Sequence, residues 1–177
     1  AAARGAQVDL IVGATHLDPP PTAMLTRVRS TQEMHDAALA RFVDADVAII
    51  AAAVADYRVR ERSEHKIKRS DSGDAGLQLE LVETPDIAAT LGERKESRIL
   101  IAFAMETEQS AERARDKMRR KNADLIVLNN LTDEGAGFAI DTNIVTLIDD
   151  SSEQALEKMS KDDVADRILD RVLQLRS

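Results

Sequence analysis

The residues best suited to chemistry in this chain lie close together. Asp56 follows the small-residue run Ala51-Ala52-Ala53-Val54-Ala55, and a polar loop then delivers the cations Lys66, Lys68 and Arg69. A buried strand that empties into an acid and then a basic loop has the layout of a nucleotide site. Open α/β sheets bind ligands at the C-terminal edge of their strands, where side chains as small as Ala52 and Ala53 let a ligand reach the backbone. Gathered cations neutralise phosphate during phosphoryl or nucleotidyl transfer. Each feature also has a plainer reading: Asp56 can close a turn by bonding its own backbone, and a basic run is commonly a solvated face.

A second group of cations, Arg113, Lys117 and Lys121, recurs at helical spacing on one face. Like charges at that spacing destabilise a helix by roughly 0.2–0.5 kcal/mol per pair. The compensating charge is either Glu112, Asp116 and Asp124 nearby or an anionic ligand. Thr84-Pro85-Asp86 supplies an N-cap, a first-turn proline and a first-turn acid for a helix, and the free N–H groups of such a start also suit an anion or a base edge. His16, His35 and His65 are scattered without metal-ligand spacing. The chain has no G-x-S-x-G, no Walker lysine loop and no G-x-G-x-x-G. An enzyme with this inventory works by positioning and charge neutralisation, without a nucleophile of its own.

The elements that must hold these residues follow from composition and periodicity. With 177 residues and 44% hydrophobic content the chain suits one domain. A net charge of -8 disfavours nucleic acid as a partner, and 2% aromatic content argues against base-stacking platforms. The absence of cysteine removes thiol chemistry and disulfides and suits the cytoplasm. No apolar run approaches the roughly 20 residues of a membrane-spanning helix, and no leader opens the chain. The expectation is a soluble cytoplasmic protein with no membrane partner.

Apolar runs alternate with amphipathic segments, which predicts an α/β fold: a three-layer, Rossmann-like, largely parallel sheet with helices on both faces. Strands are expected at residues 7–13, 24–29, 46–53, 77–82, 99–104, 125–129 and 144–148, with 46–53 central and buried on both faces. Ser30 and Glu33 form a capping box for a helix to about Val43. A charged helix spans about Gln109 to Asn122, and Ser160 opens a last helix that docks through Val164, Ile168, Val172 and Leu175. Residues 58–76 read as a mobile flap.

AAAVADYR (Ala51 to Arg58), KIKR (Lys66 to Arg69), TPDI (Thr84 to Ile87), AFAMET (Ala102 to Thr107), the Lys117 and Lys121 pair, DLIVLN (Asp124 to Asn129) and the GF-x-x-D-x-N of Gly137 to Asn143 occur in this order. The closing SKDDVADRIL (Ser160 to Leu169) joins them. The series resembles phosphopantothenoylcysteine synthetase, in most bacteria the C-terminal half of a bifunctional flavoprotein of coenzyme A biosynthesis. The resemblance runs from about residue 5 to the end. It implies a ligase that activates 4′-phosphopantothenate with CTP as an acyl-cytidylate, releasing pyrophosphate. The amine of L-cysteine then attacks and CMP leaves.

By that resemblance Ala52, Ala53, Asp56, Lys66, Phe103, Lys117 and Lys121 are nucleotide-contact positions. Pro85, Asp86, Ile87 and Ala88 contribute contacts at a helix start, and Lys66 is the flap lysine needed for turnover. Lys68, Arg69 and Asn129 are further candidates. The resemblance also implies Mg²⁺ with the triphosphate, a homodimer, and a fused or associated flavin-dependent decarboxylase. Arg69, Ala102 and Met105 depart from the family pattern, which has lysine, glycine and a small residue there. The family's first strand and glycine-rich turn would precede residue 1, so the single domain of residues 1–177 is expected to be incomplete at its N-terminus. Two other readings are a non-ligase dinucleotide-binding domain of Rossmann type and a CTP-binding fragment without activity.

Overall fold

A computed structural model describes residues 1–68, 76–106, 111–130 and 141–176, with Glu106 and Asn130 described by their backbone alone. After a 3₁₀ turn at Ala2–Arg4, the elements in chain order begin with β1 (Val8–Val12), β2 (Ala23–Arg27), α1 (Thr31–Phe42), β3 (Val47–Ile50) and β4 (Tyr57–Val59). They continue with β5 (Leu81–Glu83), α2 (Ile87–Glu93), β6 (Ile99–Glu106), α3 (Ala111–Arg120) and β7 (Leu125–Asn130). The last are β8 (Thr142–Asn143), β9 (Val145–Ile148), β10 (Glu153–Ala155), β11 (Met159–Ser160) and α4 (Lys161–Leu175).

The main sheet has the order β10-β9-β7-β6-β3. β3, β6 and β7 run parallel, while β9 and β10 join antiparallel, so the sheet is mixed. β6 and β7 hold the centre because their apolar runs can be buried on both faces: Leu100, Ile101, Leu125, Ile126 and Val127 are fully buried. The strand period of two sends alternate residues to different layers. Leu100, Ala102, Ala104, Ile126 and Leu128 meet Phe42 of α1, Leu91 of α2 and Met118 of α3. Ile99, Ile101, Leu125, Val127, Val145 and Leu147 meet Val164, Ile168 and Val172 of α4. The expected α/β layering is therefore present, and α4 docks as its spacing predicts, except that Leu175 is left partly exposed at the end.

β3 departs from expectation. It stops at Ile50, pairs only with β6 among the described strands and leaves Ile49 41% exposed, so it is an edge strand. The alanines after it lengthen the apolar run in sequence, but they are small enough to sit exposed at little cost, and they do so. The expected strand over 77–82 is likewise shorter. Only Leu81–Glu83 pairs, with Tyr57–Val59 in an antiparallel ribbon, so the start of the expected flap is itself a strand. Residues 69–75 of that flap lie outside the described residues. β1 and β2 form a separate parallel pair.

Helix starts are set locally. Ser30 Oγ accepts from the Glu33 N–H, and the Glu33 carboxylate accepts from the Arg29 N–H, one residue outside the usual capping box. Ser160 Oγ accepts from the Asp163 N–H at the start of α4. The turn between β9 and β10 is built on Asp149, a buried carboxylate. Its Oδ1 accepts from Ser151 N, Ser151 Oγ and Ser152 N, each at 2.8 Å. Its Oδ2 takes Arg171 Nε at 2.6 Å, with Ser152 Oγ and Arg171 Nη2 also donating. Arg171 belongs to α4, so this clasp ties the sheet's antiparallel edge to the helix that covers it.

Candidate functional site

Thr84 joins two segments that are remote in sequence. Its N–H donates to the Asp56 carbonyl at 2.8 Å and its hydroxyl to the Ala55 carbonyl at 2.5 Å. With Tyr57 paired to Glu83, the chain leaving β3 and the chain entering α2 are locked side by side. Because that hydroxyl is committed to Ala55, Thr84 does not cap α2 as expected. Asp86 is the N-cap, accepting from the Ala89 N–H at 3.0 Å, and the helix begins at Ile87. The N–H groups expected to be free for an anion already have a carboxylate there.

The same Asp86 Oδ1 accepts from Lys121 Nζ at 2.9 Å. Burial pushes the Asp86 carboxyl upward, but the hydrogen bonds from Lys121 and the Ala89 N–H, with the charges of Lys121 and Lys117, outweigh it and hold the group below the usual carboxylate range. The counter-charge of Lys121 therefore comes from across the structure, at the start of α2. Of the nearby acids expected to supply it, Asp116 pairs with Arg119 and Asp124 with Lys95. Arg115 is engaged by Glu153 of β10. Lys117 also lines an open basic depression of about 500 Å³ on α3, with Arg113, Asp116, Arg119 and Arg120.

Lys121 is placed by a close approach between helix ends. An added Cβ on Gly92 would lie 1.9 Å from the Lys121 carbonyl oxygen, so only glycine lets α2 meet the end of α3. Asn122 follows at φ 46 and donates its side-chain N–H to the Gly92 carbonyl at 2.8 Å. Sequence reasoning missed Gly92 and Asn122. The only signal was an isolated glycine inside a helical pattern, which marks close packing as often as it weakens a helix.

Among the described residues the expected site residues fall into four groups. Ala52, Ala53 and Asp56 are exposed beyond the end of β3; the Asp56 backbone is held to Thr84, which precedes half-buried Pro85 and exposed Asp86, and Lys121 reaches Asp86 with Lys117 nearby. Ile87 and Ala88 are core residues, so only their backbone can serve a ligand. Phe103 packs in the layer under α4, on the opposite face of the sheet from the helices that carry Asp86 and Lys121. Asn129 alternates onto the same face as Phe103, opposite Met105 in the ladder. Lys66 and Lys68 are exposed on the loop after β4, and among the described residues no hydrogen bond or ion pair draws Lys66 to Asp56 or Asp86. Arg69 and residues Gly137 to Ile140 lie outside the described residues.

Among the described residues no group of three or more His, Asp or Glu side chains is arranged to cage a metal ion, and no helix is long and apolar enough to cross a membrane.

The chain is similar to known proteins over nearly its whole length. The chain is 42% identical over 178 residues to a protein named cysteine/cysteine sulfinic acid decarboxylase from an unknown prokaryotic organism, covering 99% of this chain and 49% of that protein. It is 42% identical over 173 residues to the coenzyme A biosynthesis bifunctional protein CoaBC of Bacillus subtilis (strain 168), covering 97% of this chain and 42% of the relative. The chain thus spans less than half the length of either. The crystal structure of the C-terminal domain of a CoaBC protein superposes with a TM-score of 0.78 at 35% identity, over 97% of this chain and 75% of that one. Residues 1–175 match the model of the DNA/pantothenate metabolism flavoprotein C-terminal domain. The chain belongs to that family.

Proposed function

We propose that this chain is the ligase portion of a phosphopantothenate–cysteine ligase that uses CTP. The observation that carries the reading is the Thr84 clasp. It sets the small-residue strand end and the Pro85–Asp86 helix start side by side, and Lys121 and Lys117 bring positive charge to the same place. Ala52 and Ala53 expose backbone for close approach of the nucleotide, and Asp56 orients it at the strand end. Lys117 and Lys121 neutralise the triphosphate. The carboxylate of 4′-phosphopantothenate attacks the α-phosphorus, pyrophosphate leaves, and the amine of L-cysteine then displaces CMP from the acyl carbon. Both nucleophiles come from substrates, so the protein acts by orientation and by charge placed where charge develops.

Lys66 closes over the nucleotide from the loop after β4. Mg²⁺ accompanies the triphosphate as part of the substrate, and no step is assigned to protein ligands for it. The homodimer, the flavin-dependent decarboxylase partner and a cytoplasmic location belong to the same reading.

Saturating CTP with Mg²⁺ is expected to raise the melting temperature. At 100-fold excess over Kd, linkage supplies about 2.7 kcal/mol, a shift of roughly 5–10 °C for a domain of this size. ATP should give less. No shift and no saturable binding with CTP would end the reading. Lys66→Ala should fold as the wild type and release pyrophosphate about 10²-fold more slowly, the scale set by removing one charge-stabilising donor from an active site. Unchanged turnover would remove Lys66 from the mechanism.

A further inference from the structure

His35 ties α1 to the start of α2. Its Nδ1 lies 3.0 Å from the Asp36 carboxylate and its Nε2 3.3 Å from the hydroxyl oxygen of Thr90 on α2. The ring is 15% exposed against 64% for Asp36, so the contact with Thr90 is the end shielded from water. The Thr90 hydroxyl in turn donates to the Asp86 carbonyl at 2.9 Å, beside the Thr90 N–H, which donates to the same oxygen at 3.0 Å. Asp86 is the residue whose carboxylate caps α2 and accepts from Lys121 Nζ at 2.9 Å. A chain of hydrogen bonds therefore runs from the His35 ring, through Thr90 and Asp86, to the amine of Lys121.

Counting protons fixes the charge of the ring in this arrangement. An ionised carboxylate only accepts, so Nδ1 donates to Asp36. Thr90 has one hydroxyl proton, and the Asp86 carbonyl, which also only accepts, takes it. The Thr90 oxygen is left as an acceptor, so Nε2 donates as well, and a ring that donates from both nitrogens is the imidazolium cation. When the Nε2 proton leaves for solvent, the nitrogen's lone pair faces the Thr90 oxygen. The hydroxyl then serves either Nε2 or the Asp86 carbonyl, and one bond of the chain is lost. Acids predominate among the charges on the elements packed against the ring. Asp36, on α1 itself, is held below the usual carboxylate range chiefly by its hydrogen bond with His35, and Gln32 donates to the same oxygen. On α2 stand the Asp86 carboxylate with its partner Lys121, then exposed Glu93 and Arg94 one turn beyond Thr90, and β1, which also packs on α1, carries exposed Asp9.

We infer that His35 is a positioning residue: as the imidazolium it holds Thr90 and the Asp86 backbone in place, and so keeps Lys121 set for the phosphates of the nucleotide. This rests on the ligase reading, which puts Lys121 on the triphosphate. Histidine is the side chain that changes charge between about pH 5 and 8, so the grip on the nucleotide loosens as pH rises through that range.

The test is CTP affinity by calorimetry on the full chain with Mg²⁺, at pH 6 and at pH 8. Protonation of the nucleotide itself is common to every variant and cancels in the ratio of variant to wild type. His35→Phe keeps a ring and removes both donors. It should weaken binding about fivefold at pH 6, the scale of one hydrogen bond, and less than about twofold at pH 8, where the wild type has lost the same bond. Equal ratios at the two pH values overturn the inference, because a ring that only fills space matters no more at one than at the other. Thr90→Val removes the hydroxyl at nearly constant shape and should likewise cost more at pH 6 than at pH 8. Adding His35→Phe to it should weaken binding at pH 6 by no more than about twofold further, since the two residues share one network. Thr90→Ser returns the hydroxyl and should bind within about twofold of wild type at both pH values. A Thr90→Val chain that binds like wild type at pH 6, a Thr90→Ser chain that does not, or effects that simply add each overturn the inference, and the Thr90 pair decides it if His35→Phe fails to fold. Wild-type chain that binds no CTP at either pH refutes the ligase reading and this inference with it. A wild type that binds, with variant ratios indifferent to pH, refutes this inference alone.

Discussion

Asp149→Ala is expected to lower stability by about 3–5 kcal/mol, the scale for breaking a buried ion pair from one side, and the melting temperature by roughly 10 °C. The carboxylate is 3% exposed and accepts from Ser151, Ser152 and Arg171, so its removal strands the Arg171 guanidinium and opens the β9–β10 turn together. Restoring neutrality should recover part of the loss. The double variant Asp149→Ala with Arg171→Met is expected to be more stable than the sum of the single effects predicts, since contacting residues in one network are not additive. If the two effects simply add, the clasp is not a coupled pair.

The same carboxylate sets an acid limb. Burial pushes the Asp149 carboxyl upward, but Arg171 and the two serines prevail and hold it at about 2, against an ordinary 3.8. A depressed carboxylate contributes stability that is fully present above its unfolded value and is lost as pH falls through the folded one. The window runs from about pH 5 down to pH 2, and the contribution is roughly 2.5 kcal/mol. Wild type should therefore lose stability across that window, and Asp149→Asn should show a shallower acid slope from a lower starting point. Equal slopes in urea titrations at pH 6, 4 and 3 would show that the acid transition belongs to other groups.

What could be read from the sequence was what local pattern determines. β6 and β7 announce themselves because burial on both faces demands continuous apolar runs, and α4 because Ser160, Val164, Ile168 and Val172 state a cap and a stripe within one segment. The order of the motifs carried the family. The misreadings are all non-local. β3 looked central because nothing local separates a buried alanine from an exposed one. Thr84 looked like a cap because its real partner, Ala55, lies in another element. The counter-ion of Lys121 is Asp86, the N-cap of α2, rather than Glu112, Asp116 or Asp124 near it in sequence. The face taken by Phe103 was available in principle, since Ile99 and Ile101 alternate with it away from Ala102 and Ala104, but motif order does not say which face a residue takes.

Gly92→Ala should couple fold and function in one substitution. The new methyl group would sit 1.9 Å from the Lys121 carbonyl oxygen and 2.8 Å from its carbonyl carbon, both backbone atoms that no side-chain rotation can clear. Relief requires the α2 and α3 ends to separate, at a cost near or above the 3 kcal/mol upper end of ordinary overpacking, about 10 °C in melting temperature. The separation also strains the hydrogen bond from Asn122 to the Gly92 carbonyl and moves the backbone of Lys121, whose side chain is held to Asp86 from that spot. Any folded Gly92→Ala protein should therefore bind CTP about tenfold or more weakly, an effect of 1.4 kcal/mol or above. Lys121→Ala provides the comparison: it should lose affinity on the same scale while melting within a few degrees of wild type, because the Lys121–Asp86 pair is partly exposed. A Gly92→Ala protein that melts and binds like wild type would mean that the helix ends are not in contact, and that the position of Lys121 is set by something other than this crossing.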